Sequence, residues 1–272
     1  MNTRPLLLLL LVSACAPQPR VHGPATASAQ AGGFGIDMHV PDFARRPFEP
    51  FSRENTIAIA QREWRAFGMN VNDDPPDQQD RPRDLRPDHQ PGLWQRVGEY
   101  WWLGQNAGNP EEGWTSKYSE NGTRYAGDAP AWSAAFISYV MRSAGAGDRF
   151  AYSATHAAYI NGAVRGEESI LQAERTDTYA PQPGDLICLG RGTASNIRFE
   201  SLPAPGFPGH CDLVTEVAPG QLTVIGGNVD ASVTVKHVPI GTTGLLSEPG
   251  GRPYDSRYDW FVVLHVLYDA VS

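Results

Sequence analysis

A serine, a histidine and an asparagine are the residues of this sequence most able to do chemistry together. Ser133 lies in the segment AWSAAFISYV, whose apolar residues have helical spacing. His210 opens a strand-like run after a Phe-Pro-Gly loop, and Asn228 follows two glycines after the next such run. A serine hydroxyl needs a base to become a nucleophile, and histidine is the expected base near neutral pH. The three residues predict nucleophilic catalysis, with Asn228 fixing the tautomer of the His210 ring.

The element that carries the serine is predicted to be a helix that opens close to it. Asp128 is a favourable N-cap, Pro130 is tolerated only in a first turn, and Gly145 with Gly147 provides the stop. A hydroxyl near this end lies at the positive end of the helix dipole, where developing negative charge is favoured. The alternative is a serine that only satisfies a nearby backbone group.

Two of the seven histidines are candidates for the base. His210 enters its strand from a loop at the rim of the predicted sheet, where a side chain can reach a cleft. His156 lies in a short predicted helix and is interpreted as a packing residue or as part of the cleft lining. We expect Trp132 and Asp128 to line the same substrate cleft.

The N-terminal segment predicts export and lipid anchoring. A positively charged start and a leucine run lead into Val12-Ser-Ala-Cys15, which predicts a secretory signal over residues 1–15. This ending resembles the lipobox of bacterial lipoproteins, which implies acylation of Cys15. Ala16 after the cysteine implies export to the outer membrane, on its periplasmic face. The alternative is an ordinary signal peptide cleaved elsewhere.

Composition divides the rest of the chain and excludes some functions. Residues 16–50 are rich in Pro, Gly, Ala and Gln without a period, which predicts a flexible tether, and residues 51–272 are expected to fold as one domain. A net charge of −8 without a basic cluster argues against nucleic-acid binding. No ligand spacing for a metal is present, and we expect no cofactor.

The folded part is predicted to be α+β. Helices are expected from about residues 56, 93 and 153, in addition to the serine-bearing one, and strand-like runs follow from Pro183 to the C-terminus. In the first helix, the buried face is marked by Ile57, Ala60, Trp64 and Phe67. The Asp-rich segment 72–91 is interpreted as a solvated loop rather than a calcium loop, because its ligand spacing is irregular.

Two cysteines remain in the predicted mature domain, Cys188 and Cys211. They lie on consecutive predicted strands, so we expect their Cα atoms to be close. A disulfide and two buried free thiols both fit this pattern. Because neighbours in a strand point to opposite faces, Cys211 is not expected to share the face of His210.

Several motifs resemble known families. The segment Trp132-Ser-Ala-Ala-Phe-Ile-Ser138 is similar to the Trp-Cys-Ala-Ala-Phe-Val-Ser motif of papain-like cell-wall peptidases and amidases of the NlpC and CHAP groups, with serine in the cysteine's place. Pro183-Gly-Asp-Leu186 and Gly209-His210 also fit those groups. Residues 131–138, 156–160 and 210–214 resemble more closely an uncharacterised bacterial family, domain of unknown function 2272, over roughly residues 57–267.

The resemblance implies a papain-like fold, with N-terminal helices on an antiparallel sheet, and a hydrolase site at Ser133, His210 and Asn228. It implies cleavage of amide or ester bonds in peptidoglycan or another envelope polymer. Serine lacks the low-pKa thiolate on which such enzymes depend. The alternative is a catalytically inactive, cell-wall-binding or structural lipoprotein.

Overall fold

Apart from one two-residue strand, the helices come first in the chain and the strands follow, as their sequence periods predict. In a computed structural model, the structure describes residues 50–75, 86–104 and 131–268. Within these ranges the helices and strands are α1 (Arg53–Ala66), β1 (Asn70–Val71), α2 (Leu93–Gly104), α3 (Ser133–Ser143), α4 (His156–Arg165), β2 (Leu171–Glu174), β3 (Leu186–Gly190), β4 (Gly209–Ala218), β5 (Gln221–Val229), β6 (Ser232–Pro239) and β7 (Trp260–Val266).

The seven strands form one sheet in the order β1-β6-β5-β4-β3-β7-β2. Every pairing is antiparallel except that of β1 with β6. The predicted α+β class is confirmed. The two short edge strands, β1 and β2, were not predicted, since four residues or fewer give too little alternation to recognise.

The two faces of the sheet are buried in different cores. One face, with Cys188, Cys211 and Leu213, packs against the helices. The opposite face, with Ile187 and Val214, forms a second apolar cluster. Because side chains alternate along a strand, a strand buried on both faces is apolar throughout, as β3 is.

Helix α1 begins at a capping serine. The Ser52 side chain accepts a hydrogen bond from the Asn55 backbone N–H at 3.2 Å, and Gly68 follows the helix with a positive φ of 90°. The serine thus caps the N-terminus of the helix, and the glycine allows the left-handed backbone that commonly ends a helix.

The predicted buried face of α1 is only partly correct. Ala60 and Phe67 are buried, but Ile57 and Trp64 are half-buried. Two polar positions that were not expected on this face, Thr56 and Glu63, have no exposed surface. From the sequence, Glu63 is expected on the solvent side, because a glutamate is almost never buried without partners.

Helix α3 begins at the serine itself. Trp132 occupies the N-cap position without a side-chain cap bond, and Ser133 is the first helical residue. The expected N-cap Asp128 and Pro130 lie outside the described residues. The predicted stop is confirmed, since the helix ends at Ser143 and Gly145 has a φ of 93°.

Cys188 and Cys211 lie directly opposite each other on β3 and β4 and are joined by a disulfide. Their Cα atoms are 4.1 Å apart, so the expected proximity is confirmed. Of the two alternatives for these cysteines, the structure has the disulfide.

The signal segment 1–15 with Cys15, and the predicted tether except its last residue, lie outside the described residues. Among the helices that the structure describes, none has the length and apolar character needed to cross a membrane.

Candidate functional site

Ser133 makes a buried hydrogen bond at the N-terminus of α3. Its Oγ lies 2.8 Å from Nε2 of His156, and the two residues are only 4 % and 3 % exposed. The buried ring of Phe136, one turn further on, anchors this end of the helix in the core. The first backbone N–H groups of a helix have no intrahelical acceptor, so they are available beside the serine.

His156 is held by its own helix. It is the first residue of α4, and Tyr159 lies three residues later on the same side of that helix. The Tyr159 hydroxyl is in hydrogen-bond contact with Nδ1 of His156. When the ring carries its proton on Nδ1, Tyr159 accepts it and Nε2 is free to accept from Ser133.

The histidine predicted to act on Ser133 is engaged elsewhere. His210, near the start of β4, donates from Nε2 to Oδ1 of Asp212 at 2.6 Å. Its Nδ1 is buried, and no group of the described residues bonds to it. The contact expected between Ser133 and His210 is therefore corrected to one between Ser133 and His156. The approach of α4 to α3 decides this, and it is not encoded in the strand pattern around His210.

Asp212 also carries a buried ion pair. Its second carboxylate oxygen contacts Nζ of Lys236, which lies on β6 and is only 2 % exposed. The Lys236 Nζ lies 3.5 Å from Nε2 of His210. His210, Asp212 and Lys236 thus form one buried polar cluster on the sheet.

The predicted role of Asn228 is also corrected. Asn228 follows Gly226 and Gly227 inside β5, at the place where the register of β5 with β6 shifts, and its φ is 58°. Asn228 lines a pocket with His210, but its side chain makes no hydrogen bond within the described ranges. The group that orients the His210 ring is Asp212, two residues along the same strand.

The close approach expected at the two glycines of β5 is present. A Cβ on Gly226 would lie 1.7 Å from Oδ1 of Asp212 and 3.0 Å from Nε2 of His210. A Cβ on Gly227 would lie 2.5 Å from the Phe136 side chain. Only glycine allows β5 to approach both the polar cluster and α3 at this distance.

Two polar groups therefore meet at the end of the sheet. The rings of His156 and His210 are 5.6 Å apart between centroids. One ring belongs to the helix-borne group with Ser133, and the other to the strand-borne cluster with Asp212. His156, interpreted from the sequence as cleft lining or packing, lies at the centre of the site.

Trp132 belongs to the core rather than to a cleft. It is fully buried, its ring lies 5.7 Å from that of Tyr100, and its Nε1 donates to Asp88 at 3.0 Å. Asp88 is itself buried and bonded to Arg86, although the sequence placed it in a solvated loop. The predicted role of Trp132 in lining the cleft is thus wrong. Asp128, the other predicted lining residue, lies outside the described residues.

Burial sets the charge states of the two histidines. It lowers the pKa of His156 well below its usual value, and the nearby His210 and Arg191 lower it further, against the opposing effect of Asp212. Burial likewise lowers the pKa of His210, although Asp212 opposes this. For Asp212, burial works against ionisation, but Lys236 and His210 outweigh it and keep the carboxyl's pKa low. His156 is therefore a neutral base at neutral pH, and Asp212 is a carboxylate.

These shifts predict a loss of stability in mild acid. Both histidines resist protonation in the folded chain, whereas the unfolded chain binds protons as the pH falls through about 6.5. We expect the free energy of unfolding to be highest above that pH and to fall below it by up to about 1.4 kcal/mol per pH unit for each histidine. Urea titrations between pH 8 and 5.5 measure this slope.

A His156→Gln variant provides the control, since it removes one of the two groups. Its slope should be smaller than that of the wild type by about one proton. A wild-type stability that stays constant from pH 7 to 5.5 would contradict the neutral, buried state of the histidines.

Three site residues were not found from the sequence, and two of them carried a signal. Tyr159 follows His156 by three positions, which is one helical turn. Asp212 follows His210 by two positions, which is one strand period. Lys236 carried no such signal, because only the pairing of β5 with β6 brings it to this cluster.

Comparison with protein families gives a match over most of the folded part of the chain. The model of a family described as uncharacterised proteins conserved in bacteria, DUF2272, matches residues 88–266. The comparisons with curated proteins and with solved structures found no significant match.

Proposed function

Since the chain belongs to the DUF2272 family, whose description gives no activity, we propose its function from the site itself. The chain is a serine hydrolase that cleaves amide or ester bonds in peptidoglycan or a related envelope polymer. The observation that carries this proposal is the 2.8 Å hydrogen bond between Ser133 Oγ and His156 Nε2. A nucleophile, a base in reach and a third group on the base form the arrangement that activates a serine.

In the proposed reaction, Ser133 Oγ attacks the carbonyl carbon while His156 Nε2 takes the hydroxyl proton. Tyr159 accepts from Nδ1 and holds the ring in the required tautomer. The N-terminus of α3 stabilises the oxyanion of the tetrahedral intermediate. His156 then gives its proton to the leaving nitrogen or oxygen, and water releases the acyl group from Ser133 by the same steps.

Tyr159 suits this role because it stays neutral. Burial raises the pKa of its hydroxyl well above its usual value, and the Asp212 charge adds to this. A neutral phenol orients the imidazole, but it stabilises the imidazolium less than a carboxylate would. The negative charge nearest to both histidines is Asp212, which raises the pKa of His156 against the effect of burial.

The fold we propose for the domain is papain-like. Three features support it: the serine opens a helix packed on an antiparallel sheet, His210 lies near the start of β4, and Asn228 lies in the neighbouring β5. The proposed setting is the periplasmic face of the outer membrane. It rests on the sequence pattern that ends at Cys15, through which the chain would be lipid-anchored.

A catalytically silent binding role is the second candidate. It is favoured by the burial of Ser133 and His156, which leaves little of the dyad open to a polymer. It also fits the replacement of a thiol by a hydroxyl in a site that resembles cysteine peptidases.

Turnover of muropeptides or a model ester by the wild type, Ser133→Ala and Ser133→Cys decides between the two candidates. For a serine hydrolase, we expect the wild type to be active and Ser133→Ala to fall to background, because its nucleophile is gone. An inactive wild type whose Ser133→Cys variant gains activity would instead identify a binding protein with a dismantled peptidase site.

A further inference from the structure

A small pocket opens beside His210, on the side of the polar cluster. It is lined by Arg191, His210, Asn228, Lys236 and Tyr258, together with two apolar residues. It admits little more than a group of the size of a water molecule. The lining is thus rich in hydrogen-bond donors for so small a space.

Arg191 is the charged lining residue with unused donors. It is half-exposed at the end of β3, and its guanidinium makes no hydrogen bond or ion pair within the described ranges. Guanidinium groups present a rigid fork of N–H donors that matches a carboxylate. Arg191 can therefore receive such a group without first breaking a bond to its own chain.

The charges around the pocket do not cancel. Arg191 and Lys236 are cationic, and the carboxylate that faces them is Asp212, which already bonds Lys236 and His210. The positive charge of Arg191 acts on both histidines, because together with burial it lowers the pKa of His156 and of His210. A second carboxylate that acts on Lys236, Asp255, is paired with Arg257, so among the described residues one positive charge is left without a counterion, in a chain whose net charge is −8.

His210 adds a second indication that a group is missing here. Its Nδ1 is buried without a hydrogen-bond partner among the described residues, and since Nε2 donates to Asp212, Nδ1 is an acceptor that a water can satisfy while it also donates to a carboxylate. The same ring is next to that of His156, which bonds Ser133. A ligand in the pocket is thus separated from the proposed nucleophile by the rings of His210 and His156.

We propose that this pocket is a carboxylate-binding subsite, with Arg191 as the principal ligand and Lys236 and Asn228 as further donors. That the bound carboxylate belongs to the substrate rests on the proposed function. The site then selects acyl chains that carry a free carboxylate close to the bond that Ser133 attacks. Its small size favours a carboxylate over a sugar or a phosphate group.

Titration of the full chain with acetate and with acetamide tests the subsite without any turnover. The ring signals of His210 in NMR spectra report occupancy. We expect acetate to shift these signals and to bind about 10-fold to 100-fold more tightly than acetamide, as a charge-assisted hydrogen bond would produce. Arg191→Met should abolish this preference, and Arg191→Lys should retain part of it.

Arg252→Met is the matched control, because Arg252 is an exposed arginine paired with Glu248. It should bind acetate like the wild type. Equal binding of acetate and acetamide, or an acetate preference that survives in Arg191→Met, would overturn the subsite. A chain that prefers acetate but hydrolyses nothing would keep the subsite and reject the proposed hydrolase, so the two failures are distinguishable.

Discussion

Replacing His156 with glutamine should lower kcat/KM for a muropeptide or model ester by about 10²–10⁴, the usual contribution of general-base help. The reason is that His156 is the ring within hydrogen-bond distance of the Ser133 hydroxyl. His210→Gln should have a much smaller effect, below about 10-fold. Its glutamine can still donate to Asp212, and the histidine it replaces does not contact Ser133.

Steady-state kinetics of the two variants, with circular dichroism to verify folding, measure the difference. Tyr159→Phe is the third variant, because it removes the hydroxyl at Nδ1 and leaves the ring packing in place. We expect Tyr159→Phe to lower kcat by a larger factor than the factor by which it changes KM. A large loss in His210→Gln with a near-normal His156→Gln would reverse the assignment and favour the base predicted from the sequence.

Replacing Glu63 with glutamine should lower the free energy of unfolding by about 3 kcal/mol, the lower end of the cost of removing one partner from a buried ion pair, because the Arg96 side chain keeps 29 % of its surface exposed. Arg96 donates three hydrogen bonds to this carboxylate, one of 2.7 Å from its Nε atom and two of 2.6 and 2.5 Å from its Nη2 atom. Tyr100 and Tyr139 donate their hydroxyls to it at 2.7 and 3.3 Å. The variant leaves the Arg96 charge without its counterion between α1, α2 and α3.

Glu54→Gln is the matched control, since Glu54 is an exposed glutamate in the first turn of the same helix. Its loss should cost less than about 1 kcal/mol, mainly through the helix dipole. Urea unfolding of both variants at pH 7 gives the comparison. Equal costs in the two variants would show that the Glu63 cluster contributes no more than a surface charge.

The secondary structure and the location of the site follow from local patterns in the sequence. Runs of apolar and β-branched residues bounded by turn residues predict the strands β3 to β7, and helical spacing with a glycine stop predicts the helix that carries Ser133. Because successive side chains of a strand point to opposite faces, Cys211 is predicted on the face opposite to His210. The two consecutive strands make the proximity of Cys188 to Cys211 predictable. These features depend on residues a few positions apart, whose relation is set by backbone geometry alone.

The partners within the site were decided by the tertiary structure. Ser133 and His156 are 23 positions apart on different helices, and their contact depends on how α4 packs near the sheet. Lys236 reaches Asp212 only through the register of β4, β5 and β6.

The burial of Glu63 was also decided by the tertiary structure. The charge of a glutamate predicts exposure, and only the approach of α2 and α3 supplies partners such as Arg96 and Tyr139. Burial of a charged or polar side chain is stable only when several distant elements bring matching groups to it. Local periodicity contains no information about those elements, so it predicted where this site lies but not which histidine meets the serine.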